Sequence, residues 1–288
     1  MRYTWMLPCA VLGGVLMAAC QVLIYRYAPV EQTMGLVQKI FYTHLPLAWW
    51  SFVSFFLVCV SGVAYLKTRN RHWDAVAGAA AEVGVVLSGL ALVSGSIWAR
   101  HSWGVWWTWD PRLTTTMILW FLYAGYLVLR KMDMPRERQA NLCAVVGIVA
   151  FVDVPLVFLS ARLWRSIHPA VFANKSGGLE PEMKIAAIAA VACFGLVWAG
   201  LVGLRTLQIK QKERLDGLAV HGELYSRERT GGGTFFQKGL LPRPPLQKLS
   251  PFGFRGLHGS FPHLQDSLSV ASPPVKSLRK GGSNLHVP

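Results

Sequence analysis

At 288 residues, 53% hydrophobic and only 15% charged, the chain carries far less charge than the roughly 25% of an ordinary soluble domain. Its apolar residues fall in runs of about 20, each long enough at about 1.5 Å rise to cross a hydrocarbon core of about 30 Å, which excludes a soluble globular fold. The net charge of +15 sits in a basic tail and in the connections between apolar runs, so it reads as the positive-inside bias of a membrane protein and not as a nucleic-acid surface.

The apolar runs predict an all-α polytopic membrane protein with six transmembrane helices, at roughly 5–26, 46–66, 76–98, 112–130, 142–161 and 184–204. Ala18-Ala19-Cys20 loosely resembles a lipoprotein cleavage site, but the apolar run continues through Val22-Leu23-Ile24-Tyr25, which predicts an uncleaved first helix. Basic residues concentrate at 67–74 (Lys67, Arg69, Arg71), at 130–141 (Arg130, Lys131, Arg136, Arg138) and after 204 (Arg205, Lys210, Lys212, Arg214). Alternation puts these on one side with Arg2, and their density marks that side as cytoplasmic. The outer connections are then 27–45, 99–111 and 162–183. The last of these carries Arg162, Arg165, Lys175 and Lys184, more than the rule prefers.

Residues 1–205 read as one six-helix membrane domain and 206–288 as a basic, Pro/Gly-rich cytoplasmic tail. Residues 211–288 hold eight prolines and Gly231-Gly232-Gly233 without a sustained period, which predicts disorder. Cys9, Cys20, Cys59, Cys143 and Cys193 all lie in apolar runs with no C-x-x-C pattern, so they offer neither a redox pair nor a covalent cofactor attachment site. Two acids, Glu82 and Asp153, fall within membrane segments, where such groups are costly. Pro155 frees a carbonyl beside Asp153 and kinks the helix there. The residues alone assign neither acid a role.

The middle outer connection is the most distinctive stretch. Trp98, Trp103, Trp106, Trp107 and Trp109 place five of the chain's 12 tryptophans beside one membrane surface. Interfacial belts of Trp are common, but five indoles in so short a stretch exceed what a belt needs. A wall of indoles suits a large, flat, apolar ligand. Trp103, Trp106 and Trp107 stand at i, i+3, i+4 spacing, which predicts a short interfacial helix with Trp109 pointing elsewhere. Asp110-Pro111 opens the fourth helix. Asp110 reads equally as its N-cap and as a site residue.

Of eight histidines, three lie on this outer face. His44, in Phe41-Tyr42-Thr43-His44-Leu45-Pro46, precedes the second helix. His168, in Ile167-His168-Pro169, follows the fifth. They bracket the Trp loop in sequence, whereas His101 within the loop has no symmetric partner and is set aside. Two opposed imidazoles complete the coordination of a haem iron, so His44 and His168 are the candidate metal ligands. Arg100 and Arg112 flank the aromatic wall. Each reads either as a fork-shaped partner for haem propionates or as an ordinary headgroup contact.

Trp103-Gly104-Val105-Trp106-Trp107-Thr108-Trp109-Asp110-Pro111-Arg112-Leu113-Thr114, His44 with Pro46 and Ala48, and Val154-Pro155 through Ser160, Trp164 and His168-Pro169 resemble the haem-handling protein family of cytochrome c maturation, in its haem exporter protein C branch. The resemblance covers about 20–205. It implies a bacterial inner-membrane protein, a mitochondrial inner membrane fitting equally, that binds haem b non-covalently through both histidines. It further implies that the Trp loop presents haem to the periplasmic haem chaperone CcmE, within a release complex containing the small membrane protein CcmD and the ABC transporter subunits CcmA and CcmB. A delivery protein, not an enzyme, is the expectation. The rivals are a haem lyase of the same family, a permease moving haem across the bilayer, and a scaffold whose Trp loop only docks another protein.

Overall fold

A computed structural model describes residues 6–32, 34–164, 166–168 and 179–231. Its helices are α1 (Met6–Arg26), α2 (Phe41–Thr68), α3 (Arg71–Trp103), α4 (Pro111–Leu129), α5 (Arg136–Phe151), α6 (Asp153–Leu163) and α7 (Pro181–Gly231), with a short 3-10 turn, Leu36–Ile40, leading into α2. Six stretches are long and apolar enough to cross a bilayer, α5 and α6 together supplying the fifth. The molecule is a six-span, all-α membrane protein.

The helix ends differ from the sequence expectation at several points, α3 and α5 among them, which start at Arg71 and Arg136 and not near 76 and 142. α2 begins at Phe41 rather than near 46, because the apolar run extends upstream and Pro46 is accommodated within the helix. His44 therefore sits inside α2 and not ahead of it. α3 continues to Trp103 and stops where Gly104 takes φ +75°, the left-handed conformation that a side chain resists. The fifth span breaks at Val152, three residues before Pro155. Pro155 has no N–H to return to the Phe151 carbonyl, and the Val152 N–H turns instead to Val149 at 3.1 Å. α7 runs on to Gly231 instead of ending near 204. Residues 206–231, expected in the tail, are helical, and 232–288 lie outside the described residues. Gln208, Lys210, Gln211, Lys212, Glu213 and Arg214 are strong helix formers, and Arg136 reaches from α5 to Asp216 at 3.1 Å.

Packing centres on two helix pairs, α2 with α3 and α1 with α7. α5 lies on α2, and α4 lies between α3 and α6. Lipid supplies little hydrophobic drive between helices, so small residues and satisfied polar groups do the joining. Ala77, Ala79, Ala80 and Ala81 make α3 thin where Phe55 and Val58 of α2 share its core. Phe55 stacks on Tyr123 at 3.8 Å, and Trp50 stacks on Trp198 at 4.7 Å. Both indole N–H groups are spent, Trp50 on the Val191 carbonyl at 2.8 Å and Trp198 on Ser54 Oγ at 2.7 Å. At one end of the bundle, buried Lys39 donates to the Ile24 and Tyr25 carbonyls at 2.8 and 3.2 Å. It closes the C-terminus of α1 and fixes the turn that delivers α2.

Charged pairs tie the opposite end. Glu82, left open by the sequence, pairs with Arg205 of α7. Arg130 grips both oxygens of Asp74 at 2.7 and 3.1 Å and also donates to Tyr126 Oη at 3.2 Å. This pair is largely buried, so removing one partner strands the other. Asp74→Ala is expected to lower stability by about 3 kcal/mol, read as a fall in the unfolding midpoint of the detergent-solubilised protein. Asp74→Leu with Arg130→Met should recover most of the loss, since neither charge is then stranded.

Candidate functional site

The first turn of α2, the end of α3, residues 104–110, the start of α4 and residues 166–168 meet at the end of the bundle closed by Lys39. Within α2, His44 turns towards α3. Its Nδ1 lies 3.1 Å from Ser94 Oγ, and that hydroxyl donates to the Ala91 carbonyl at 3.1 Å. With the serine proton committed, the oxygen accepts from Nδ1–H, and Nε2 keeps its lone pair. Gly95 makes room for the ring, since a Cβ there would stand 3.1 Å from His44 Cε1. No local pattern in the sequence announces Ser94 and Gly95, which are 50 residues from the histidine they seat. A Ser-Gly-Ser step inside an apolar helix is the one available hint.

His168 arrives from the far side of the chain. Its ring centroid stands 6.4 Å from that of His44, with the ring planes inclined at 37°. Asp110 fastens the segment that carries His168. Its carboxylate, 7% exposed, accepts three hydrogen bonds. Oδ1 takes the Arg112 N–H at 2.9 Å and the Ser166 hydroxyl at 2.9 Å, and Oδ2 takes the Ile167 N–H at 2.8 Å. Ser166 Oγ in turn accepts the His168 N–H at 3.1 Å. Asp110 is therefore the N-cap of α4 and also the clamp on the segment carrying His168. The tie to Ser166 and Ile167 could not be read from spacing, because its partners are more than 50 residues away.

The tryptophans do not form the expected short helix. Trp103 closes α3, and residues 104–110 form an irregular loop. Trp98 meets Trp103 edge-on at 5.6 Å and 76°, and Trp107 meets Trp109 at 6.1 Å and 84°. The indoles thus pack as crossed pairs and not as one flat wall. Trp106 and Trp109 are the outermost, 60% and 75% exposed. Arg100 is committed to closing α3. Its guanidinium donates to the Gly104 carbonyl and lies over the Trp106 ring at 6.0 Å. Arg112 is half-buried and interacts electrostatically with both Asp110 and His44. His101 is exposed in the last turn of α3.

Chemically the centre offers two imidazoles beside an aromatic loop. Among the described residues no group of three or more His, Cys, Asp or Glu side chains is placed to hold a metal ion. Two imidazoles fill only two positions on a metal held between His44 and His168, and leave the others to further ligands.

The fold and this site define a class: a polytopic helical membrane protein with a paired-histidine, Trp-rich centre at one end of its bundle. The family model described as heme exporter protein C, CcmC, matches residues 1–218. A heme exporter protein C of Bradyrhizobium diazoefficiens is 31% identical over 198 residues, 68% of this chain and 75% of that protein. That of Paracoccus denitrificans is 31% identical over 222 residues, 74% and 89% of the two chains. The Escherichia coli protein of the same name is 27% identical over 181 residues, 62% and 74%. The chain belongs to the heme exporter protein C family.

Removing the Asp110 carboxylate should release the segment it clamps. In Asp110→Ala the Ile167 amide is expected to exchange with solvent about tenfold or more faster, consistent with losing a cap and two tertiary bonds. Asp110→Asn, which keeps one acceptor oxygen, should fall between. Hydrogen exchange read by mass spectrometry on peptides spanning 160–168 checks the order.

Proposed function

We propose that this protein holds haem b non-covalently between His44 and His168 and presents it along the Trp loop to a periplasmic haem chaperone of the CcmE kind, as the haem-handling subunit of a haem export complex serving cytochrome c maturation. The curated relatives are named heme exporters, and a role in haem export is the coarser statement that family membership carries. The single observation supporting the finer reading is the approach of His44 to His168 at 6.4 Å between ring centroids. Two imidazole–metal bonds of about 2 Å each suit that separation. A metallated porphyrin also brings ring nitrogens of its own to complete the coordination.

The chain's own residues then divide the work. Ser94 holds His44 in the tautomer that leaves Nε2 free to ligate, a supporting contact of the kind that orients metal-bound imidazoles. Asp110 orients His168 through the backbone it clamps. Trp106 and Trp109, outermost in the loop, offer the face that a haem-accepting partner meets. Small membrane and ABC-type partners corresponding to CcmD, CcmA and CcmB complete the proposed complex. The paired histidines face the side away from the basic connections, which the charge bias makes the periplasmic side of a bacterial inner membrane. The protein acts in this reading by holding and handing over, with no covalent step of its own.

A visible spectrum of the purified protein tests the ligand set. Wild type should show a low-spin bis-imidazole haem. His44→Ala and His168→Ala should each lose haem or shift to a spectrum of lower coordination. A normal bis-imidazole spectrum in both variants sinks the assignment. Separately, Trp106→Ala with Trp109→Ala should keep the spectrum yet slow haem loading of a CcmE-type acceptor at least about tenfold, in line with losing exposed aromatic anchors. An unchanged loading rate removes the loop from the handover.

A further inference from the structure

Eight buried side-chain polar atoms among the described residues have no hydrogen-bond partner, and three of them, Trp98 Nε1, Thr108 Oγ1 and Thr114 Oγ1, belong to the stretch that builds the Trp site. Trp98 stands near the end of α3, Thr108 in the loop and Thr114 in the first turn of α4. Buried polar atoms in native proteins almost always find partners, so a group of orphans in one stretch calls for an explanation. Helix geometry alone does not give it. The neighbouring hydroxyls of Thr115 and Thr116 are spent on the Pro111 and Arg112 carbonyls at 2.8 and 2.7 Å, whereas Thr114 is not.

The chemistry of the three narrows the missing partner. An indole N–H only donates, and a threonine hydroxyl donates readily. For Trp98 the missing partner is an acceptor, and an acceptor is the one partner type that would satisfy all three. The acceptor nearest in sequence, the Asp110 carboxylate, is already engaged by Arg112, Ser166 and Ile167. Arg100, which the sequence left open between a propionate partner and a headgroup contact, is engaged with Gly104 and Trp106. Arg112 remains as a half-buried positive charge beside these donors in the chain.

Resting on the haem reading above, we propose that Trp98, Thr108 and Thr114 are positioning residues for the cargo: their orphaned donors hydrogen-bond the haem propionate carboxylates, with Arg112 and not Arg100 supplying the opposing charge. Bonds to these buried donors let the propionates contribute to affinity and to the orientation of the macrocycle.

The test titrates the full-length protein in detergent, or in lipid nanodiscs, with ferric haem b and with its dimethyl ester, whose carboxylates are blocked. Wild type should bind haem about tenfold or more tightly than the ester, the size of a few charge-assisted hydrogen bonds. Thr108→Val and Thr114→Val are near-isosteric, and Trp98→Phe keeps the aromatic contact. Each should weaken haem binding several-fold, change ester binding less than twofold and leave the unfolding midpoint of the haem-free protein unchanged or raised. All three should retain the low-spin bis-imidazole spectrum once loaded. Equal losses for haem and ester, or no loss for either, overturns the proposal while the histidine reading stands. A wild-type protein that shows no bis-imidazole spectrum overturns both.

Discussion

One carboxylate joins the two halves of the site. Asp110 stands where α4 begins, and a side chain there would ordinarily do no more than satisfy a free amide. Here it also accepts from Ser166 and from Ile167, so the start of one helix and the loop following another become a single piece. Nearly all of its acceptor capacity is directed at donors of the protein, with little left to water. That tie helps to hold His168 at a fixed distance from His44.

The rest of the bundle serves the same constraint from further away. His44 can face His168 only because α2 is placed against α3, whose alanine- and glycine-rich surface permits close approach and whose Ser94 and Gly95 set the ring. The turn before α2 is in turn pinned by Lys39 on the carbonyls that end α1. At the opposite end, Asp74 with Arg130 and Glu82 with Arg205 bind α3 to α4 and to α7. Polar contacts thus sit at both ends of the spans, and apolar and aromatic packing fills most of the length between them. Asp153 is one exception, as is Ser61 within α2. Asp153 Oδ2, buried at the break between α5 and α6, has no partner.

The six spans were legible because length and apolarity alone decide them. Their ends were not, since each end depends on something a hydropathy run does not carry. α3 ends on the backbone conformation of Gly104, and α7 continues on helix-forming polar residues tied to α5. Within the site, the meeting of His44 and His168 was legible from parity, as both flank the Trp loop on one side of the membrane. The crossed packing of the indoles was not, because i, i+3, i+4 spacing predicts alignment only if a helix forms, and Gly104 ends it first. The contact of Arg100 with the Gly104 carbonyl was hidden for a related reason: an arginine in the last turn of a helix lies within reach of the carbonyls that end it, wherever that end falls.

The loop between α3 and α4 is short. Residues 105–110, even fully extended, cover only about 20 Å, and they are anchored by the end of α3 on one side and by the Asp110 clamp on the other. Such a segment cannot swing out as an arm. A partner that docked on Trp106 or Trp109 would meet a nearly stationary perch, so the search for it would belong to the visitor and not to the loop.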